Sequence, residues 1–364
     1  MDSKAAALQG LVERVREAAA HKTPLEIRGG GTKAFYGGEP RGEPLSTATL
    51  AGISSYEPSE LVVSVLAGTP LAALETLLAA QGQCLAFEPP RYAPGGTVGG
   101  MVAAGLAGPA RAAVGGVRDY VLGATLLNGR GELLNFGGTV MKNVAGYDVS
   151  RALAGTMGIL GLICEVSLKV LPRPAATATL RLELDAAQAM RRLGEWRGQP
   201  LPLNASAWWD GALVLRLSGA AAAVSAAQQK MGGEPIPSAM ADAFWTGLRD
   251  HGDEFFVGAA RAVQGGATLW RLSVPATAAP LRLSGEQLIE WGGAQRWICT
   301  TAPAATLREA AAAAGGHAVM FRGAERAQGI FAPLKPPLDR IHRELKKAFD
   351  PEAIFNPGRL LPDL

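Results

Sequence analysis

The sequence predicts an α+β protein of two domains, the first organised around glycine-rich loops and the second an antiparallel sheet with helices. Three observations lead there. The chain has 364 residues, about two domains at roughly 150 residues each. Glycine (46) and proline (24) make up about 19% of it against a typical ~12%, and the excess glycine is clustered. From about 177 to 330 short alternating strands interleave with helices, whereas the chain before 175 is punctuated by glycine runs.

Leu8, Leu11, Val12 and Val15 fall at helical spacing and predict an amphipathic first helix. Leu25 to Arg28 reads as a short strand running into a glycine turn, and Leu61 to Leu66 as another strand after Pro58-Ser59. Thr69 and Pro70 supply an N-cap and a first-turn proline for a helix with Leu71, Leu74, Leu77 and Leu78 on one face, ended by Gly82. Val121 to Leu127 and Glu132 to Phe136 alternate around Asn128-Gly129-Arg130-Gly131, a hairpin signature. Leu162 to Leu171 is an alternating strand closed by Pro172 and Pro174.

Leu180 to Leu184 alternates strictly, and Asp185 caps the helix after it. Residues 206–218 form a hairpin turning at Asp210-Gly211, with Trp208 and Trp209 on opposite faces, one ring in the core and the other covering the hairpin. An alanine-rich helix spans about 219–230, strands recur at 268–274 and 295–301, and a helix at about 304–314 leads into another at 317–322. Leu338, Ile341 and Leu345 put an apolar stripe on a last helix ending near Asp350-Pro351. The expected domains are 1–175, 176–332, and a segment 333–364 that returns to the first domain. There is no internal repeat of 20–50 residues.

Composition excludes several classes. Hydrophobic residues at 48% and charged residues at 18% describe a globular protein with large buried surfaces. A net charge of +3 is too weak and dispersed for a nucleic-acid footprint. Cys84, Cys164 and Cys299 form no C-x-x-C, which argues against a disulfide framework, a thiolate zinc site and an iron–sulfur cluster. His21, His251, His317 and His342 stand alone, so no metal site is expected. The N-terminus carries charges throughout and is not a signal peptide. The uncharged run Tyr92 to Ala110 holds six glycines and two prolines. It reads as a ligand-cradling loop followed by a short buried helix, not a membrane span. A soluble, cytoplasmic protein is expected.

Two segments carry most of the functional information: Arg28-Gly29-Gly30-Gly31-Thr32-Lys33 and Pro94-Gly95-Gly96-Thr97-Val98-Gly99-Gly100. Glycine permits positive φ and close backbone approach, so successive N–H groups can converge on one anion. Two such nests suit a pyrophosphate, and Arg28 or Lys33 can add charge. By this reasoning a valine at Gly30 or Gly96 abolishes binding. Neither loop is G-x-G-x-x-G, and no glycine precedes Lys-Ser/Thr, so the Rossmann fingerprint and the P-loop are absent. One such loop alone is as well explained by a tight turn. A third run, Gly155 to Gly161, tips the balance toward a ligand.

In order, RGGGT, PGGTVGG, VGGVRDYVLG and GTMGILGLI resemble the vanillyl-alcohol-oxidase/PCMH-type FAD-binding family. KNVAGYDVSRALAG (142–155), EVSLKVLPRP (165–174) and DPEAIFNPGR (350–359) are similar to the FAD-binding subunits of glycolate oxidase. The resemblance covers 1–175 and 335–364; across 177–330 only strand–helix order and length agree. It implies a two-subdomain PCMH-type FAD-binding fold with a second, cap-like antiparallel α+β domain. It implies that Arg28 to Lys33 bind the FAD pyrophosphate. Pro94 to Gly100, continuing through Ala107 and Gly108, would meet pyrophosphate and the inner flavin face. The carry-over extends to Gly115 and Asp119, and to Gly158, Gly161 and Ile163 beside the adenine. Asn356, with Pro357 and Gly358, is expected near the isoalloxazine ring. Gly105 and Met157 depart from the family pattern, which has asparagine and an acidic residue there. Thr32 stands where many relatives carry an attachment histidine, so FAD is expected to be non-covalent.

No residue is assigned a catalytic role. Tyr147 and Asp148 read better as a packed tyrosine and the N-cap of a helix starting at Val149; an approach of Lys142-Asn143 to the flavin edge is the less favoured reading of that pair. His251, His317 and His342 read as surface or structural. Three functions stay open. The first is an FAD-binding subunit of a multi-subunit glycolate oxidase, working with a homologous larger FAD subunit and an iron–sulfur subunit on a small 2-hydroxy acid. Such a chain would meet the inner membrane only through partners. The second is a self-sufficient FAD-dependent 2-hydroxy-acid dehydrogenase using Arg216, Arg261 or Arg271. The third is a non-catalytic structural subunit stabilised by FAD.

Overall fold

The structure is a computed structural model that describes residues 3–139, 147–324, 326 and 329–364. Lys142 and Asn143 lie outside the described residues. The chain divides into two compact units.

The first unit comprises Met1–Leu106, Gly116–Pro172 and Pro333–Leu364. Among the described residues its main sheet has five antiparallel strands, in the order Ile53–Glu57, Val62–Leu66, Leu162–Lys169, Val121–Leu127, Leu133–Gly137. Val62–Leu66 is buried at every position, as a strand covered on both faces should be. The hairpin at 128–131 is fixed by Asn128, whose Oδ1 accepts from the amides of Arg130 and Glu132. The first helix, Ser3–His21, buries Leu11, Val12, Val15 and Ala18 in a core with Leu25, Leu162, Ile354 and Phe355. Leu25–Arg28 pairs in parallel with Glu43–Ser46, and Leu25 also bridges to Phe355. The chain end is thus threaded beside the strand that opens the first glycine loop.

Helix Leu71–Ala80 buries Leu71, Leu74 and Leu78, but its N-cap is Pro70 and carries no side-chain cap. Thr69 is engaged elsewhere: its Oγ1 accepts from Gly52 N and donates to Gly52 O. Asp148 caps helix Val149–Ala152, whereas Tyr147 is 97% exposed rather than packed.

The second unit comprises Ala107–Gly115 and Arg173–Ala332. Its eight antiparallel strands run Glu234–Ile236, Ala176–Glu183, Ala212–Gly219, Leu203–Trp209, Glu286–Glu290, Gln295–Thr300, Thr268–Ser273, His317–Arg322 among the described residues. The last of these is a strand where a helix is expected from the sequence: Ala318 to Phe321 are all buried, and a short continuous apolar run carries no alternation to tell the two apart. The hairpin turns at Asp210 (φ 45°) and Gly211 (φ 76°), the left-handed pair this turn needs. Asp185 caps helix Ala186–Arg197 in a reciprocal box with Gln188. That helix and Ala221–Met231 cover one core with Leu180, Leu193, Leu213, Leu215 and Val224.

Two helices, Ser238–Asp250 and Glu254–Gln264, were not read from the sequence. The signal was there: Ala241, Trp245 and Leu248 are buried at helical spacing, and Asp253 accepts from Phe256 N as an N-cap. Segment 107–115 sits with this unit because of Trp291. Its indole Nε1 donates to Gly108 O (3.1 Å), and the Arg111 guanidinium lies 4.7 Å from the ring centroid. Nothing in the local sequence of 107–115 announces a partner some 180 residues away. No described helix is long and apolar enough to cross a membrane.

His251 sits inside an aromatic box, stacked on Phe256 at 3.6 Å with Trp297 and Phe321 at 5.0 and 5.2 Å. Burial first, then the charges of Arg322 and Arg271, hold its imidazole well below the ordinary value near 6.5. The folded chain therefore keeps His251 neutral at a pH where the unfolded chain takes up a proton. Stability is fully present above about pH 6.5 and is lost as the pH falls, by up to about 1.4 kcal/mol per unit. Urea midpoints at pH 7 and 5.5 should differ in the wild type, and His251→Phe should flatten that difference.

Candidate functional site

Strand Leu25–Arg28 delivers its chain directly into the first glycine loop, and the second loop runs into helix Val98–Ala104. The two meet backbone to backbone. A Cβ built on Gly30 would stand 1.6 Å from Gly95 O, and one on Gly29 would stand 2.3 Å from Thr97 Oγ1. Real Cβ atoms never come so close, so only glycine permits this junction. Thr97 does a second job, its Oγ1 accepting from Gly100 N to cap helix Val98–Ala104.

A cleft opens at this junction. Arg28, Gly29, Gly30, Gly31, Thr32 and Lys33 line it, with Thr97, Gly99 and Gly100 from the second loop. Gly158, Gly161, Ile163 and Asn356 complete the expected set. The amides of Gly29, Gly30, Gly31, Thr32 and Thr97 donate to no acceptor among the described residues. A concave wall of idle N–H donors beside a guanidinium is an anion cradle. The residues present fit the diphosphate of a dinucleotide.

The other expected residues stand off the cleft. Gly95 supports the junction, Gly96 O accepts from Leu71 N, and Val98 is buried with its N donating to Thr69 O. Pro94 does not line the cleft either. Ala107, Gly108 and Gly115 belong to the segment of the second unit, where Gly108 O is taken by Trp291. Asp119 accepts from Gly116 N at 2.8 Å and locks a short turn.

Asn356 bridges two cleft walls. Its Oδ1 accepts from Ile27 N (2.7 Å) and its Nδ2 donates to Met157 O (2.6 Å). It abuts Gly158, where a Cβ would lie 2.6 Å from that Nδ2. The sequence reading set Gly158 beside the adenine and Asn356 near the isoalloxazine, at opposite ends of an extended ligand. The structure puts the two residues side by side.

Glu26, Ile27, Thr47, Met157 and Arg359 also line the cleft and were missed. Arg359 is only 8% exposed. Its guanidinium donates to Ala34 O, Gly38 O and Tyr36 O, fastening the chain beyond the first loop. The signal was its place in the C-terminal motif DPEAIFNPGR. Arginine there reads as surface charge unless its acceptors are known.

Other reactive groups are committed. Burial pushes the Cys164 thiol up to about 12, which leaves it an inert core residue. His21 and His342 each place Nδ1 against the carbonyl one helical turn back, Glu17 O and Leu338 O. Burial and Arg271 lower His317. Arg216 donates to Asn204 and lies over Trp245, and Arg271 lies over Phe321. Among the described residues no three His, Cys, Asp or Glu side chains are grouped to hold a metal.

This fold and cleft define an FAD-binding domain of the PCMH type, and residues 5–152 match the family described as FAD binding domain. Over 356 residues the chain is 46% identical to glycolate oxidase subunit GlcE of Escherichia coli (strain K12), spanning 98% of each. The chain belongs to that family. It is also 30% identical to glycolate oxidase subunit GlcD of Bacillus subtilis (strain 168), over 44% of this chain and 34% of that one. Among solved structures, alkyldihydroxyacetonephosphate synthase matches with a TM-score of 0.67 at 15% identity, over 96% of this chain and 75% of that one. That likeness is one of fold.

The two glycine loops predict different mutational outcomes. Gly30→Ala drives a methyl into Gly95 O and should lower the melting temperature and abolish FAD binding together. At Gly96 the nearest atom to an added Cβ is Thr32 Oγ1, an ordinary contact at 3.4 Å. Gly96→Ala should therefore keep the melting temperature of the flavin-free chain, and any loss of FAD affinity reads ligand approach alone. Thermal melts and FAD titration of both variants check this; wild-type FAD affinity in Gly30→Ala would move the diphosphate elsewhere.

Proposed function

We propose that this chain is the FAD-carrying subunit of a multi-subunit glycolate oxidase that converts glycolate to glyoxylate. Its partners would be a homologous larger FAD subunit and an iron–sulfur subunit that takes the electrons onward. The end-to-end likeness to a glycolate oxidase subunit carries this reading. When bound, FAD supplies a two-electron acceptor for oxidation of a 2-hydroxy acid.

In this reading the chain's own residues bind and orient. The amides of Gly29 to Thr32 and of Thr97, with the Arg28 guanidinium, hold the diphosphate. Gly158, Gly161 and Ile163 form a wall for the adenosine half, which Asn356 and Arg359 stiffen. Of the three candidate arginines, Arg216 and Arg271 lie over aromatic rings and Arg261 is exposed on helix Glu254–Gln264, while His251 is enclosed and neutral. These groups therefore support a scaffold or cap role for 176–332 better than a proton-abstracting one. Thr32 stands where an attachment histidine would be and cannot bond the flavin as that residue would, so in this reading FAD is held non-covalently. Its location in the cytoplasm belongs to the same proposal.

Acid precipitation of the yellow protein should release FAD into the supernatant, whereas a yellow pellet would show a covalent bond. The function itself is tested by glycolate- and D-lactate-dependent dye reduction. The purified, FAD-loaded chain should turn over slowly or not at all, and its co-purifying subunits should restore the rate. A lone chain as fast as the complex would make it a self-sufficient dehydrogenase.

A further inference from the structure

The last helix, Leu338–Phe349, is oriented against its own sequence pattern. Its apolar stripe faces solvent, with Leu338 50%, Ile341 47% and Leu345 37% exposed, while Lys346 is only 4% exposed. An amphipathic helix normally buries the stripe. Here a lysine has taken the inward position, and its bonds show why. The Nζ donates to Ile159 O (2.8 Å), Asp350 Oδ2 (2.7 Å) and Phe355 O (2.8 Å). An ammonium has three donors, and all three are satisfied.

Those acceptors come from two stretches of chain, the loop around Ile159 and the 350–355 turn. Asp350, 1% exposed, also accepts from Ile354 N and Phe355 N. This sets the turn that presents Asn356 to Ile27 and Met157. Ile159 belongs to the loop whose Met157, Gly158 and Gly161 line the cleft. That loop has left-handed φ at Met157 (55°) and Gly158 (76°), so no ladder runs through it; helix Val98–Ala104 takes its Gly155 and Met157 amides at Val102 O and Ala103 O. Its carbonyls at 157 and 159 are gripped by Asn356 and Lys346.

We infer that Lys346 is a positioning residue for the cofactor cleft: it fixes the 157–161 wall and the Asn356 turn together, although it does not itself line the cleft. The inference rests on the FAD reading above. A buried ion pair adds little net stability compared with apolar replacements, and burial draws Lys346 below the ordinary lysine range against the pull of Asp350. A leucine here would suit the core better. What a lysine adds is direction, because its three bonds admit one arrangement of the wall.

The test is FAD titration of the full-length chain, wild type against Lys346→Met and Lys346→Gln. Each is measured well below its own melting temperature and checked as folded by circular dichroism. Lys346→Met should bind FAD about tenfold more weakly or worse, the size expected for losing charged hydrogen bonds. Lys346→Gln keeps one amide donor and should fall between; it decides the matter if the methionine variant does not fold. A lysine that served stability alone would lower the melting temperature and leave the dissociation constant of the folded chain unchanged, which overturns the assignment. A wild-type chain that takes no FAD overturns the cofactor reading itself, and this inference with it.

Discussion

Everything in the cleft depends on a contact between two backbones, Gly30 against the carbonyl of Gly95. A methyl group on residue 30 has no space, so the loops can meet only where the side chain is absent. Their meeting turns two separate turns into one wall of outward-facing amides. Backbone polar groups left without acceptors are rare in folded proteins because each carries a desolvation cost. A chain that leaves several of them idle in one concave place, beside Arg28, has kept them for a ligand that supplies the acceptors. The chemistry of such a ligand is anionic and extended.

The opposite wall has a different problem. Residues 155–161 follow a path with left-handed turns, held on one side by helix Val98–Ala104, whose Val102 and Ala103 carbonyls accept from Gly155 N and Met157 N. Further support comes from the far end of the chain. Asn356 and Lys346 grip this loop, and Arg359 grips the 34–38 stretch through three carbonyls. Residues 187 to 325 positions apart are thus joined through side-chain amide, ammonium and guanidinium donors. Closing so long a loop adds little to the entropic cost, which grows only with the logarithm of length. The C-terminal segment is in this sense part of the site.

The legibility of these parts differed for physical reasons. The glycine nests, the buried strand at 62–66, the Asp185 cap and the Asp210-Gly211 turn were readable because their signals are local. Each is a residue type demanded by the conformation of its own few neighbours. Lys346 and Arg359 were unreadable for the opposite reason, since a charged residue is buried only when distant carbonyls receive it, and those carbonyls leave no mark on composition. The stripe of Leu338, Ile341 and Leu345 was legible as a pattern and still misleading about which face packs. Thr69 looked like a cap because threonine before proline usually is one, and Gly52 took its hydroxyl instead. Segment 107–115 was separated from its unit by a tryptophan near residue 290.

The polar groups of the second unit sharpen the contrast. Arg296, 1% exposed, donates to Gly293 O, Ala278 O and Ala279 O. Glu290, 4% exposed, accepts from the side chains of Gln295 and Trp297. Buried charges kept in this way hold loops; they are poor acids, bases or ligand contacts, because moving a proton or a partner would leave carbonyls and indoles unsatisfied. The first unit has such buried charges too, in Lys346, Asp350 and Arg359, but there idle backbone donors also face an open cleft. A flavoprotein built so can hold its cofactor through main-chain donors that its own fold does not use.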